Sequence, residues 1–241
     1  MANQTLTPEI AAVLERAVIS GNQITLPPID RALYLKVDKA LQNAGGKWNT
    51  RARAHLFEGD PQAKLAQILG TGVAIDEKKA FQAFYTPPAL AARMAALAQE
   101  KDHVVLEPSA GRGALADACL EAGARAVECV EINPESAAGL SRKGYKVSTA
   151  DFLQCLPPNP FHRIVMNPPF TRNQDLLHLA HALRCLTRPG GQLVAILLGN
   201  IERPQFAETM TGFRYTLEQM PAGAFRESGT DVKTVLLTVE A

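Results

Sequence analysis

The sequence is poor in the features that usually assign a function outright. Its four cysteines, Cys119, Cys129, Cys155 and Cys185, are widely spaced and include no Cys-x-x-Cys pair. That spacing argues against a zinc site or a disulfide framework, and for reduced, mostly buried thiols in a cytoplasmic protein. No apolar run is long enough to span a bilayer, and Met1-Ala2-Asn3-Gln4-Thr5 lacks the charged start and apolar stretch of a signal peptide. Charge of neither sign dominates: 25 Lys and Arg face 24 Asp and Glu, a net +1. Any binding to nucleic acid must therefore rest on a local patch. There is one tryptophan, and no repeat or low-complexity tract. What the chain does have is length and apolar content. At 241 residues and 46% hydrophobic, it can build an α/β domain with its own core and a small extra module.

Residues 1–75 read as that module, with α+β character. Thr7-Pro8-Glu9 is a helix start, a cap followed by a first-turn proline and an acid. Ile10, Val13, Leu14, Ala17 and Val18 follow at helical spacing until Gly21-Asn22. Asp30 caps a second helix carrying Leu33, Tyr34, Val37, Ala40 and Leu41, and Gly45-Gly46 closes it. Lys47-Trp48-Asn49 and His55-Leu56-Phe57 are expected as two short strands around a turn, and Asp60-Pro61 opens a third helix that Gly70-Thr71-Gly72 ends. Between Arg31 and His55 the chain carries Arg31, Lys36, Lys39, Lys47, Arg51 and Arg53 against one acid, Asp38. Trp48 is expected to fill the small core. Lys47, Arg51 and Arg53 sit at a turn rather than on a helix face, and are the candidate phosphate contacts. His55 has no partner at ligand spacing and is expected to be structural.

Residues 76–241 read as the main domain, entered through a linker at 76–84. Tyr85-Thr86-Pro87-Pro88 opens a helix through Leu90, Met94 and Leu97, with Thr86 as its cap. Val104-Val105-Leu106 is a buried-strand pattern. Glu107-Pro108-Ser109-Ala110-Gly111-Arg112-Gly113 follows at once, then a helix from Ala114 to Glu121. Strand, glycine loop and helix in that order make nucleotide-binding geometry, and Gly111 and Gly113 let a ligand approach the backbone. The loop lacks the Gly-Lys-Ser/Thr of a P-loop. Glu107 stands where it would repel a pyrophosphate, which favours a ligand with an amino group and a sulfonium. A second strand, Ala126 to Val130, ends in Glu131, at the spacing where an acid takes both hydroxyls of a ribose. A third, near Tyr145-Lys146-Val147-Ser148, leads to Asp151-Phe152, where Asp151 is a ligand contact or simply a helix cap.

Arg163-Ile164-Val165-Met166 is a fourth strand and delivers Asn167-Pro168-Pro169-Phe170. Two prolines without donors and with fixed φ end the strand in a stiff corner. The Asn167 oxygen and a neighbouring carbonyl become acceptors in fixed places, and Phe170 adds a flat apolar face. Two acceptors and a ring suit a planar NH2 group. The plain alternative is a proline-rich turn. In the polar loop Thr171-Arg172-Asn173-Gln174, Arg172 meets a phosphate or is a solvated loop residue. On the helix from Gln174 to Thr187, His178 and His181 share a face with no third ligand nearby, so no metal is expected. Arg188-Pro189-Gly190-Gly191 turns into a fifth strand, Gln192 to Leu198. Thr216 to Met220 and Thr234 to Val239 are expected as a closing antiparallel hairpin with a long loop between them.

Taken together, these boxes resemble the class I S-adenosylmethionine-dependent adenine-N6 DNA methyltransferases, over about two-thirds of the chain. Glu107 to Gly113 is similar to their cofactor loop and Asn167 to Phe170 to their catalytic corner. The module with Gly45-Gly46-Lys47-Trp48-Asn49 looks like those of phage and mobile-element proteins. The resemblance implies a Rossmann-like, seven-stranded, mostly parallel sheet with a C-terminal antiparallel hairpin. It implies S-adenosylmethionine as cofactor, with Tyr85 and Thr86 at its methionine end, Asp151 on its adenine amino group and Phe152 packed on the ring. Ile132, beside Glu131, is expected to line the adenine slot. It implies DNA as partner, Asn167 and the Pro168 carbonyl as acceptors for the target amino group, Phe170 stacked on the target base, and Phe225 clamping it from the other side. The large C-terminal target-recognition domain common in this motif order is absent, so specificity is expected to be relaxed or short. RNA and the amide of a protein glutamine remain alternative targets, and an inactive nucleic-acid-binding scaffold is an alternative of a different class.

Overall fold

Helix and strand signals are distributed differently in the two parts of the sequence. The computed structural model, which describes residues 3–75, 86–99, 101–225 and 232–241, separates them into two units, Met1–Ala83 and Phe84–Ala241. Tyr85, the linker at 76–84 and residues 226–230 of the hairpin loop lie outside the described residues. No helix among those described is long and apolar enough to cross a membrane.

In the first unit, β1 (Asn3–Thr5) pairs with β6 (Val73–Ile75). Helices α1 (Pro8–Glu15), α2 (Arg31–Asn43) and α3 (Pro61–Thr71) are capped by Thr7, Asp30 and Asp60 as their sequence signals require. The four-stranded sheet runs β2–β3–β5–β4, from β2 (Val18–Ser20), β3 (Gln23–Thr25), β5 (Ala54–Leu56) and β4 (Lys47–Asn49). Two expectations fail here. Val18 was placed on the first helix, but α1 stops at Glu15 and Val18 opens a hairpin with Gly21 at positive φ in its turn. Val and Ile at 18 and 19 are stiff at χ1 and fit a strand better than a helix end. Trp48 was expected in the core. The core is instead built from Ile10, Leu14, Ile24, Val37 and Leu41, and Trp48 on the edge strand is 43% exposed.

The second unit carries seven strands in the order β12–β13–β11–β10–β7–β8–β9. They are β7 (Val104–Glu107), β8 (Ala126–Glu131), β9 (Lys146–Thr149), β10 (Arg163–Met166), β11 (Gln192–Leu198), β12 (Arg214–Gln219) and β13 (Thr234–Glu240). β7 to β11 are mutually parallel, and β12 and β13 close the sheet antiparallel. Helices α4 (Pro88–Leu97) and α5 (Ala114–Glu121) pack with α6 (Pro134–Arg142) in one apolar layer; α7 (Gln174–Arg184) and α8 (Pro204–Thr209) pack in another. The inner strands are apolar on both faces, the mark of a doubly covered parallel sheet. The four cysteines are free and three are buried.

Strand order reverses between β7 and β10, which lie side by side. In an open parallel sheet, that switch point leaves a crevice beyond the carboxyl ends of the strands. Glu107, Glu131, Asp151 and Asn167 all stand at or just past carboxyl ends, of β7, β8, β9 and β10 respectively.

Candidate active site

The loop after β7 is tightly built. Gly111 and Gly113 have φ of 53° and 89°, where other residues are strained. At Gly113 a side chain would also collide: a Cβ would lie 2.7 Å from Leu140 Cδ2. This close approach seats the loop on α6. Ala110 N donates to Val130 O at 3.1 Å, so the loop leans on β8. Pro108 and Ala110 are buried, and Ser109 is partly exposed.

Two carboxylates frame this loop, and both are nearly buried: Glu107 at the end of β7 and Glu131 at the end of β8. Glu131 accepts from Gly111 N at 2.6 Å through Oε2 and from Asn133 N at 2.7 Å through Oε1. The acid expected to hold a ribose therefore also ties the glycine loop to the start of α6. Each carboxylate oxygen keeps a second lone pair for a ligand hydroxyl. Ile132 beside it is 51% exposed, a large apolar side chain open at the edge of the crevice.

After β9, Asp151 Oδ1 accepts from Leu153 N at 3.0 Å and caps a short 3-10 turn, the plainer of its two expected roles. Phe152 is buried between two histidines of α7, with ring centroids 5.7 Å from His178 and 4.7 Å from His181. His181 Nε2 lies 2.8 Å from Cys155 O, and His178 Nδ1 lies 3.2 Å from Ser109 Oγ. Burial pushes His178 down to about 4, so at neutral pH it is an uncharged imidazole behind the glycine loop. Its sequence gave no hint of this link. The signal would have been a histidine on the buried face of α7, one turn past Gln174.

At the end of β10, Pro168 is buried, Asn167 is partly exposed and Phe170 is 5% exposed. Asn167 Nδ2 donates to Thr86 Oγ1 at 3.0 Å. Thr86 was expected to cap the helix that follows, but the capping position falls to Pro87, which has no side-chain donor or acceptor, and α4 begins at Pro88. The threonine hydroxyl serves the Asn167 amide instead. Phe225 is fully buried and meets Phe170 edge-on, with centroids 6.4 Å apart and planes at 83°.

The exit from the corner is strained and clamped. Arg172 and Asn173 both adopt left-handed φ, 55° and 59°, and Arg172 is exposed. Arg203 holds this turn: its Nη1 donates to Asn173 Oδ1 at 3.1 Å and to Asp175 Oδ1 at 2.9 Å, and its Nη2 to Asp175 Oδ2 at 2.6 Å. Asp175 is fully buried and also accepts from Leu198 N at 3.1 Å. Neither Arg203 nor Asp175 was singled out in the sequence, because the pair joins positions 28 apart through two strand ends.

The basic candidates lie on the first unit. Lys47 is engaged with Glu58 at 2.7 Å, whereas Arg51 and Arg53 are exposed on the β4–β5 turn. Among the described residues, no group of three His, Cys, Asp or Glu side chains is placed to hold a metal.

No protein-family model matches the sequence, and no curated protein matches it. Solved structures do share its fold. A protein of Pyrococcus horikoshii assigned as an RNA methyltransferase is 21% identical, with TM-score 0.53, over 66% of this chain and 87% of that one. The 23S rRNA methyltransferase ErmE is 21% identical, with TM-score 0.51, over 66% and 69%. A modification subunit assigned to a type I restriction enzyme of Vibrio vulnificus is 15% identical, with TM-score 0.56; the match takes in 96% of this chain but 60% of that subunit. These likenesses establish a Rossmann-like methyltransferase fold, with the seven-stranded sheet and antiparallel C-terminal strands expected from the sequence.

Proposed function

We propose that the chain transfers a methyl group from S-adenosylmethionine to the N6 amino group of adenine in DNA, with relaxed or short sequence specificity. In this division of labour, residues 76–241 are the methyltransferase domain and residues 1–75 an accessory nucleic-acid contact. The observation that carries the proposal is the Asn167 amide at the end of β10, with its Nδ2 turned onto Thr86. That bond leaves Oδ1 as the acceptor end, in a stiff Pro-Pro corner beside an aromatic ring. This is what an exocyclic amino group requires.

The residues present fit the cofactor. A glycine loop with positive φ at Gly111 and Gly113 and no room for a Cβ at Gly113, flanked by two buried carboxylates, suits a ligand with ribose hydroxyls and positive charge rather than phosphates. Glu131 and Ile132 would hold its ribose and adenine side, Asp151 its adenine amino group, and Glu107 to Gly113 its amino-acid end. When bound, S-adenosylmethionine supplies an electrophilic methyl group on a sulfonium.

The protein's own residues place the nucleophile. Adenine leaves the base stack, at a cost of a few kcal/mol, and lies on Phe170. Asn167 Oδ1 and the Pro168 carbonyl accept its two amino hydrogens and direct the nitrogen lone pair toward the methyl carbon. The amine would gain positive charge as its bond to the methyl carbon forms and that carbon's bond to sulfur breaks, leaving a neutral thioether, and would then lose a proton to solvent, so no general base is needed before transfer. Placement and fixed dipoles supply the rate. Two of the structural likenesses are to proteins named for RNA, while the one that takes in 96% of the chain is to a modification subunit assigned to a restriction enzyme. The latter favours DNA.

The test is transfer of labelled methyl to unmethylated duplex DNA, total RNA and protein extract in parallel, with nucleoside and amino-acid analysis. N6-methyladenine in DNA is expected, and Asn167→Ala is expected to abolish it while cofactor binding by calorimetry stays near wild type. Label confined to RNA or glutamine overturns the substrate. Equal loss of cofactor binding in Asn167→Ala overturns the role of the amide.

A further inference from the structure

We infer that the first unit carries a second nucleic-acid site, in which Trp48 stacks on an unpaired base of a DNA strand whose phosphates lie against Arg51, Arg53 and Arg31. The starting observation is the misplaced tryptophan. A module this small has every reason to bury its one indole, yet its core closes without it and Trp48 stays 43% exposed on edge strand β4. The ring is held in place, not loose. Tyr34 meets it edge-on, with centroids 6.0 Å apart and planes at 85°, and His55, its cross-strand partner, lies at 5.2 Å and 62°. His55 is fully buried, and its Nε2 lies 2.7 Å from Asp38 Oδ1. From Asp38 through His55 to Trp48, each group fixes the next. A rigid exposed aromatic loses little conformational freedom when something flat is laid on it.

The charges around the ring select the partner. Lys47 is balanced by Glu58, and Asp38 is occupied by His55. Of the other five cations between Arg31 and His55, Arg51 and Arg53 are exposed on the turn that joins the Trp48 strand to the His55 strand, and Arg31 lies one turn before Tyr34 on the same face of α2. None of these three has an ion pair among the described residues. The result is an aromatic plate flanked by guanidinium groups on two sides. This combination fits a single strand, with a base on the ring and phosphates on the cations; in a duplex the base faces are already stacked on one another. The inference rests on the proposed DNA substrate only for the sugar of that strand.

Trp48 is the only tryptophan of the chain, so intrinsic fluorescence reports on this site alone. The full-length protein would be titrated, without any methyl donor, with single-stranded oligodeoxythymidylate, a DNA duplex and oligouridylate. The expected result is exposed-indole emission that the single-stranded DNA quenches at lower concentration than the other two. Trp48→Ala should weaken binding of a labelled oligodeoxythymidylate about tenfold. Arg51→Gln with Arg53→Gln should reduce the slope of log affinity against log salt by about 1.4. A thermal melt of each variant separates these effects from misfolding, and Trp48→Phe, which keeps a ring, should restore part of the binding. Emission already typical of a buried indole, no quenching, quenching only by duplex or by RNA, or a salt slope unchanged in the double variant would each overturn the inference. Because no methyl transfer is measured, failure here and failure of the proposed activity are separate results.

Discussion

Asn167 Nδ2 donates to Thr86 Oγ1 at 3.0 Å, across 81 residues of sequence. In this orientation the hydroxyl accepts from Nδ2, and Oδ1 is the acceptor end of the amide. Were the amide free to flip, half of its orientations would present two donors to an amino group that itself donates. Thr86→Val keeps the shape and removes the partner. Transfer should fall about tenfold, the worth of one lost neutral hydrogen bond, with cofactor affinity little changed, and Thr86→Ser should recover most of it. Steady-state kinetics with calorimetric cofactor binding decides the matter. A loss of cofactor affinity as large as the loss in turnover would instead place Thr86 on the cofactor.

Much of this unit was legible because its signals are local. The strand at Arg163–Met166 is a short apolar run ended by prolines, and the helix at Ala114–Glu121 follows a glycine loop whose last residue, Gly113, takes the left-handed conformation. Glu131 was legible from spacing as an acid at the end of its strand, but not as the acceptor for Gly111 and Asn133, because that depends on where two loops meet. Thr86 looked like a cap because caps are the commonest use of a threonine before Pro-Pro; a tertiary partner outcompeted that use. Trp48 was misplaced for a similar reason. Size and apolarity argue for burial, but edge-strand position decides exposure, and pairing order is not visible in the sequence.

The neutral state of His178 has a pH consequence. Burial lowers its folded value to about 4 from an ordinary 6.5, so between those values the unfolded chain binds more protons than the folded one. This contribution is fully present above about pH 6.5 and is lost as pH falls toward 4, by an amount on the order of 3 kcal/mol at most. Urea unfolding of His178→Gln, compared with wild type at steps across that window, should show a shallower dependence on pH. Only at the acid end of that window does the folded protein itself take up the proton, which makes both ring nitrogens donors beside Ser109, so cofactor affinity should weaken near pH 4 in wild type and less in the variant. Identical pH slopes for both proteins would remove His178 as the cause.

Arg203 and Asp175 hold the turn that follows the Pro168-Pro169 corner. Asp175 has no exposure, so removing its guanidinium partner leaves a buried charge uncompensated. Arg203→Met should cost about 3–5 kcal/mol of stability, measured by denaturant unfolding. Arg203→Lys keeps the charge but loses the fork, and should cost less stability while still lowering turnover. The left-handed Arg172 and Asn173 depend on Arg203 Nη1 at the Asn173 oxygen. Full activity in Arg203→Lys would show that the clamp serves folding alone.

The Phe170–Phe225 contact sets the last expectation. A base stacked between two parallel rings needs about 3.5 Å on each side, the contact distance of carbon atoms, and thus about 7 Å between ring planes. Here the rings are perpendicular with centroids 6.4 Å apart and both are buried, so as they stand there is no room for a base sandwiched between them. For Phe170 to stack, Phe225 must turn out of its edge contact and can then close on the other face of the base. Two costs and one gain follow from that movement: the lost edge contact and the exposed ring oppose base entry, and the second stacking surface favours the base once it has entered. Stacking contributes about 1–3 kcal/mol per base against the 0.5–1.5 kcal/mol of the lost aromatic pair, and the clamp role is the case in which that gain also offsets exposing the ring. Phe225→Ala should therefore lower kcat/KM for DNA about tenfold and leave cofactor affinity unchanged. A 2-aminopurine at the target position should be quenched by wild type and less so by the variant. If Phe225→Ala instead raises kcat/KM, the ring is only a plug over Phe170, and the clamp assignment falls.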